Sequence, residues 1–236
     1  GIMKIFMISY GGGHSNIIGS VYKELLKTPD NKITYAALTG ASLKFTNTCI
    51  NFITASDLAK LLPYYEEIYK LGYKYGLSYH NKEYGLPQEE TICYYGIGMH
   101  DLISKYGEDE AEYQFEKMNR KSFLPVASMK HILRKLQPDV CVITTSPRME
   151  KATGIAAGEL GIPVVRINDL PVCEHIVHPC YLCVMNKWAK NYALVKSGIP
   201  ESNIFVTGQP TFEEDISIPK EYVNNIKASV GAHKYK

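Results

Sequence analysis

A chain of 236 residues, 45% hydrophobic and 21% charged, is long enough to bury one sizeable α/β core or two small ones. Its net charge of +2 makes no electrostatic claim on nucleic acid, and no uninterrupted apolar run approaches the ~20 residues that a membrane helix needs. Six cysteines scattered without a secretory segment point to reduced thiols in a cytoplasmic protein, and Gly1 in place of Met reads as a scar of tag removal.

The first predicted element is a short apolar strand at residues 4–8. It runs into Ser9-Tyr10-Gly11-Gly12-Gly13-His14-Ser15 and then into a helix with Ile18, Val21 and Leu25 on one stripe and Ile17, Tyr22 and Leu26 beside it. Three consecutive glycines let the backbone turn tightly and bring amide N–H groups close to a ligand. A helix N-terminus there carries unpaired donors and a partial positive charge, a seat for phosphate or carboxylate. His14 stands at that mouth, the one side chain of the turn that trades protons near neutral pH. The spacing equally fits glycines that only make the turn and a histidine that faces water, so a functional reading needs a second site later in the chain.

A second strand is predicted at residues 33–38, ending in Thr39-Gly40, and residues 47–53 fit a strand or a loop. From residue 56 to about 84 the pattern is helical and aromatic, with Leu58, Leu61, Leu62, Tyr65, Ile68, Tyr69, Gly72 and Tyr73, until Gly85-Leu86-Pro87 breaks it. Residues 92–102 fit either helix or strand, and residues 108–121 read as a charged, exposed helix. Ten of the 18 tyrosines lie between Tyr64 and Tyr106. Three readings of that bias stay open: an aromatic core, an acceptor site where rings pack on sugar or lipid, and a lip that faces a membrane. A helix after Pro125 carries Val126, Met129, Ile132, Leu133 and Leu136 on one face and stops at Gln137-Pro138.

The second half is more regular. Residues 140–144 form a continuous apolar strand of the kind buried on both faces. Ser146-Pro147 reads as an N-cap followed by proline at the first helical position. That helix runs to Leu160 with Ala152, Ile155, Ala156 and Leu160 inward, and Gly161 at its end. Strands follow at 164–167, 181–185 and 204–207, with a helix at about 188–196 and a turn at Gly198-Ile199-Pro200. Strands alternating with helices across short loops predict an α/β fold, a Rossmann-like doubly wound parallel sheet with right-handed crossovers. Residues 1–210 are expected to form that domain, with a tyrosine-rich insertion at about 54–106. Residues 211–236, with one weak helix at 220–228 and a polar finish, are expected to be a linker toward a further domain.

Ligands of open parallel sheets sit outside the carboxyl ends of the strands. Four segments are expected to converge there: residues 10–15, 145–148, 168–171 and 208–210. They supply candidate ligand contacts from Gly11, Gly12, Gly13 and Ser15, from Thr145, Ser146 and Arg148, and from Asn168 and Gln209. Arg148 beside a helix mouth suits an anion, although a surface charge is an equal reading. Asp169 at the rim could orient a sugar hydroxyl or accept its proton, or simply form an Asx turn.

The stretch from Cys173 through His175 and His178 to Cys180 and Cys183 tempts a zinc assignment. Only Cys180-x-x-Cys183 has the usual ligand spacing, and residues three apart on a strand point to opposite faces, so no metal is expected. The phosphate loop of nucleoside triphosphatases needs a lysine that Gly13-His14-Ser15 lacks. A nicotinamide dinucleotide site needs G-x-G-x-x-G and an acid where the second strand ends here in Thr39-Gly40.

Taken together, these segments resemble the N-terminal domain of GT-B-fold glycosyltransferases, with the closest looks to peptidoglycan N-acetylglucosaminyltransferase and monogalactosyldiacylglycerol synthase. Gly11-Gly12-Gly13-His14 is similar to their first glycine loop. Pro138-Asp139-Val140-Cys141-Val142-Ile143, Gly154-Ile155-Ala156-Ala157 and Leu160-Gly161-Ile162-Pro163-Val164-Val165 are similar to their second βαβ signature. Ser197-Gly198-Ile199-Pro200 with Asn203-Ile204-Phe205-Val206-Thr207-Gly208-Gln209-Pro210 looks like the segment leading to the interdomain cleft. Residues 45–121 align to nothing in the family. The resemblance implies a cytoplasmic enzyme of cell-envelope polysaccharide type, peripheral at the inner face of the membrane, without a cofactor. This domain would bind a glycan or lipid acceptor, a C-terminal domain would bind the nucleotide-sugar donor, and His14 would be the candidate general base. Thr145-Ser146-Pro147-Arg148 stands where the cell-wall enzyme has a second glycine loop, which weakens the implication of a lipid-diphosphate acceptor. The same fold serves UDP-N-acetylglucosamine 2-epimerase, an isomerase, and a non-catalytic docking subunit of a split transferase is a third reading.

Overall fold

A computed structural model describes residues 2–210 of the chain; the expected linker at 211–236, with its helix at 220–228, lies outside the described residues. Six parallel strands form one sheet: β1 (Met3–Ser9), β2 (Asn31–Ala37), β3 (Val140–Ile143), β4 (Val164–Ile167), β5 (Tyr181–Val184) and β6 (Ile204–Val206). Their order is β2-β1-β3-β4-β5-β6, the Rossmann-like arrangement that the alternating pattern predicts. After β1 the chain moves outward to β2 and then returns to the other side of β1. The crevice between the carboxyl ends of β1 and β3 is therefore the topological switch point, where such sheets bind ligands.

The apolar strands are buried on both faces because each alternate residue enters a different core. Ile5, Met7, Val140, Val142, Val165 and Ile167 pack with Ile17, Ile18, Val21 and Leu25 of α1 (Gly13–Leu26) and with Phe45 of α2 (Gly40–Phe45). Phe6, Ile8, Cys141, Ile143 and Leu182 face the opposite layer. That layer holds α3 (Ala55–Lys60), α4 (Tyr65–Gly76), α5 (Gln88–Tyr106), α6 (Glu108–Met118), α7 (Val126–Leu136), α8 (Met149–Glu159) and α9 (Lys187–Lys196). Leu26, expected beside the α1 stripe, is exposed at the last residue of that helix.

The middle of the chain differs most from its expected elements. Residues 47–53 are a loop, pinned to the sheet by a single bridge between Ile53 and Ala36. The long aromatic stretch from residue 56 divides into α3, α4 and two 3₁₀ turns; the first break falls around Pro63, whose ring removes an amide donor. The ambiguous stretch 92–102 is helical, inside the 19 residues of α5. Its residues are buried nearly all round, from Ile92 through Tyr94, Tyr95 and Met99 to Leu102, so it shows no amphipathic period.

Glycines let α4 and α5 cross with their backbones in contact. A Cβ at Gly72 would lie 1.7 Å from the Ile92 carbonyl oxygen, and one at Gly96 would lie 2.0 Å from that of Ile68. Around them the tyrosines build a core: Tyr94 and Tyr95 are buried among Phe115 and Phe123, while Tyr73, Tyr84 and Tyr106 remain exposed. No helix among the described residues is long and apolar enough to cross a membrane.

Candidate functional site

The loop between β1 and α1 turns at Gly12, whose φ of 74° is the left-handed region that a side chain resists. Gly11 lies against Gly40, the first residue of α2; a Cβ there would stand 3.2 Å from the Gly40 backbone. Ser15, an expected ligand contact, lies inside the fold. It is fully buried, and its hydroxyl donates to the Gly12 carbonyl at 2.7 Å, closing the first turn of α1. His14, the second residue of α1, is left at the open mouth with about a quarter of its side chain exposed.

Across the switch point, Thr144 follows β3. Its amide and its hydroxyl both donate to Oε1 of Glu150, at 2.9 and 2.8 Å. The Thr144 oxygen then has only lone pairs to offer His14 Nδ1, 2.8 Å away, so Nδ1 carries the hydrogen and Nε2 holds the free lone pair. Asp169 Oδ2 also faces Nδ1, at 3.6 Å, and its other oxygen accepts from the Thr145 hydroxyl. The Gln209 amide donates to the Asp169 carbonyl at 3.2 Å. The two expected loops thus open side by side, and segments 168–171 and 208–210 join them.

The second mouth is built differently from its expected form. α8 begins at Met149, not at Pro147, and Arg148 at φ 61° precedes it as the cap residue. Ser146 is turned into the core beside Glu150, so it does not cap the helix, and Pro147 is exposed in the loop. The first amide of α8, that of Met149, donates to the Tyr10 hydroxyl at 3.0 Å. Of the expected inward residues Ala152 and Ala156 are fully buried, while Ile155 and Leu160 are half-buried and Ala157 takes the core position. With the first amide of α8 taken by the Tyr10 hydroxyl, an anion at the second mouth would also meet a guanidinium: Arg148 lies over the Tyr10 ring, 4.7 Å from its centroid. Asn168 is a scaffold residue, buried, with its amide nitrogen donating to the carbonyls of Leu170 and Val172.

Three residues of this arrangement escape sequence reasoning: Tyr10, Thr144 and Glu150. An acid in the first turn of a helix ordinarily faces water and interacts with the dipole. Glu150 is instead 0% exposed, and its Oε2 has no hydrogen-bond partner among the described residues. Burial pushes its carboxyl above the ordinary 4.5, partly opposed by the Thr144 donors. A raised folded-state value means that the native state holds this proton more tightly than the unfolded chain does. The contribution to stability is then full below the unfolded value of about 4.5 and is lost as pH rises through the folded one. Thermal melts of the parent and of Glu150→Gln are expected to show the parent losing ground to the variant as pH is raised from 4 to 8. Parallel melting curves across that range would exclude the buried acid as the source.

The cysteine stretch divides between the two faces of the sheet. Cys180 belongs to the core on the α3–α9 side, and Cys183 to the core on the α1 side. Burial pushes both thiols up to about 12, so they stay protonated. Among the described residues no group of three or more His, Cys, Asp or Glu side chains could hold a metal ion.

No protein-family model matches the sequence, and no curated protein matches it. Solved structures do. UDP-GlcNAc 2-epimerase from Methanocaldococcus jannaschii is 17% identical over 88% of this chain and 46% of its own, with a TM-score of 0.48. UDP-GlcNAc 2-epimerase from Neisseria meningitidis, bound to UDP-GlcNAc, is 12% identical over 98% of this chain and 50% of its own, with a TM-score of 0.47. The glycosyltransferase VinC in complex with dTDP is 14% identical over 70% and 34%, with a TM-score of 0.34. The chain therefore spans half or less of the length of these structures.

Proposed function

We propose that this chain is the N-terminal, acceptor-side half of a GT-B-type glycosyltransferase, which moves a sugar from a nucleotide-sugar to an acceptor hydroxyl. The observation that carries the proposal is the His14 imidazole at the switch point, with Nδ1 held by Thr144 and Nε2 free. In the proposed reaction His14 Nε2 takes the proton of the acceptor hydroxyl. The acceptor oxygen forms its bond to the anomeric carbon as the bond from that carbon to the nucleoside diphosphate breaks. Asp169, facing Nδ1, favours the imidazolium that results, and Thr144 with Glu150 keeps the ring in the productive tautomer. Amides of the Gly12–Gly13 turn at the start of α1 would meet charge developing on the leaving diphosphate. The donor is assigned to a second domain, a glycan or lipid to this one, and no role is assigned to nucleic acid.

The test incubates the intact protein with a panel of uridine and guanosine diphosphate sugars, with and without hydroxyl acceptors, and follows nucleoside diphosphate release. Acceptor-dependent release supports the proposal. Conversion of a single nucleotide-sugar to its epimer without acceptor would replace it with the isomerase reading, and no acceptor-dependent release across the panel would remove the transferase.

A further inference from the structure

The tyrosine-rich helices hold a cavity of about 280 Å³ that shares no residue with the His14 crevice. α4, the 3₁₀ turn at Leu77–Tyr79 and α6 wall it. All three lie within residues 45–121, the stretch that aligns to nothing in the family the rest of the chain resembles. Tyr79 is 52% exposed there. One face of its ring stacks on Tyr95, with centroids 5.4 Å apart and planes 6° from parallel. Phe115 stands 6.0 Å from Tyr79 and 6.1 Å from Tyr95, close to perpendicular to both. A ring equidistant from two stacked rings lies beside the stack, not over its end. Tyr95 therefore holds Tyr79 from behind, and the aromatic core leaves the outer face of Tyr79 uncovered.

The polar part of the lining has both signs of charge and both hydrogen-bonding roles. Lys74 Nζ lies 3.7 Å from Glu112 Oε1 and 4.9 Å from the centroid of the Tyr75 ring, and the Tyr75 hydroxyl also donates to Glu112. Glu116 follows one turn along α6 with no ion pair among the described residues, and Ser78 adds a hydroxyl. A cation here would meet the Lys74 ammonium, and an anion would meet two carboxylates. A neutral ligand meets neither penalty. It needs groups that donate to a carboxylate and accept from an ammonium, and an apolar face for an uncovered ring. A pyranose has both, with hydroxyls around its rim and C–H bonds on its face. The volume suits a single sugar ring and is smaller than most drug-sized sites.

We infer that this cavity is a non-catalytic saccharide site, in which a pyranose lies on the outer face of Tyr79 with its hydroxyls between Glu116 and Lys74. The buried rings of Tyr95 and Tyr94 stand between it and Tyr10, so a sugar held here is not presented to His14. The site is a surface for holding a glycan and stands or falls without the transfer proposed above.

Saturation-transfer NMR on the full chain tests the site with the methyl pyranosides of glucose, galactose, mannose and N-acetylglucosamine, and with tetramethylammonium and inorganic phosphate as charged probes. At least one glycoside is expected to take up saturation through its ring C–H protons. Its affinity should not change as salt is raised from about 50 to about 500 mM, since the ligand is neutral. Tyr79→Ala is expected to weaken it by about 10-fold or more, and Glu116→Gln by about 3-fold or more. Tyr113→Ala, an exposed tyrosine of α6 outside the lining, should leave it unchanged. Circular dichroism melts check that Tyr79→Ala folds, and Glu116→Gln probes the same lining at an exposed position without touching the ring stack. No saturation of any glycoside at about 20 mM, a concentration that reveals even Kd values well above 1 mM, would overturn the site. So would one affinity shared by parent, Tyr79→Ala and Glu116→Gln. Tetramethylammonium or phosphate binding more tightly than every glycoside would overturn the saccharide.

Discussion

On the proposed base role, replacing His14 with alanine in the intact protein is expected to lower kcat by about 10²–10⁴-fold, the span that a positioned general base supplies. KM for the acceptor should change far less, since the imidazole is proposed to act on a proton and not to hold the substrate. The partners of the ring make the expectation sharper. Thr144→Val removes the oxygen that accepts from Nδ1, and Glu150→Gln removes the carboxylate that orients that oxygen. Both leave Nε2 in place, so each should cost less than His14→Ala and should alter the pH profile of kcat rather than abolish turnover. An unchanged rate in His14→Ala would remove the base from the mechanism. A Thr144→Val variant with a parental rate and pH profile would show that the tautomer is set elsewhere.

The second large effect is on stability. Gly96→Ala and Gly72→Ala are each expected to destabilise the fold by about 3 kcal/mol, at the upper end of the usual cost of overpacking. In a chain of this size that lowers Tm by roughly 6–12 °C. Helix propensity alone predicts the opposite sign, a gain of about 1 kcal/mol for glycine to alanine in a helix interior. The added Cβ meets a backbone carbonyl oxygen, at 2.0 Å for Gly96 and 1.7 Å for Gly72, and a carbonyl has no rotamer by which to move away. The helices must separate, and the Tyr94 and Tyr95 core above them loosens. Gly13→Ala is the control: a Cβ there meets nothing within 4 Å, so its melt should stay close to the parent's. A Gly96→Ala protein as stable as the parent would show that α4 and α5 do not cross backbone to backbone.

The sheet and the first half of the site were legible because their information is local. The apolar run after Met3, the glycine turn before His14 and the stripe of Ile18, Val21 and Leu25 are carried by residues adjacent in the chain, and the period of each pattern names its element. The same holds for Gly161, whose φ of 71° ends α8 as its position predicts. The alternation of such elements is sufficient for a parallel sheet, and chirality leaves few ways to wind it.

What surrounds His14 was settled only in three dimensions. Thr144 lies 130 residues from His14, and Tyr10 lies 139 from Met149, distances over which sequence periodicity carries no signal. The Ser146-Pro147 pair satisfies every local rule for a helix start, yet the Tyr10 hydroxyl reaches the Met149 amide and the helix begins two residues later than its proline. α5 was ambiguous because a helix buried on all sides has no polar face to mark its turns. Composition and local pattern determine which elements form and in what order they stack. The burial of one carboxylate, and so the tautomer of one imidazole, depends on what packs over it, and only the folded chain decides that.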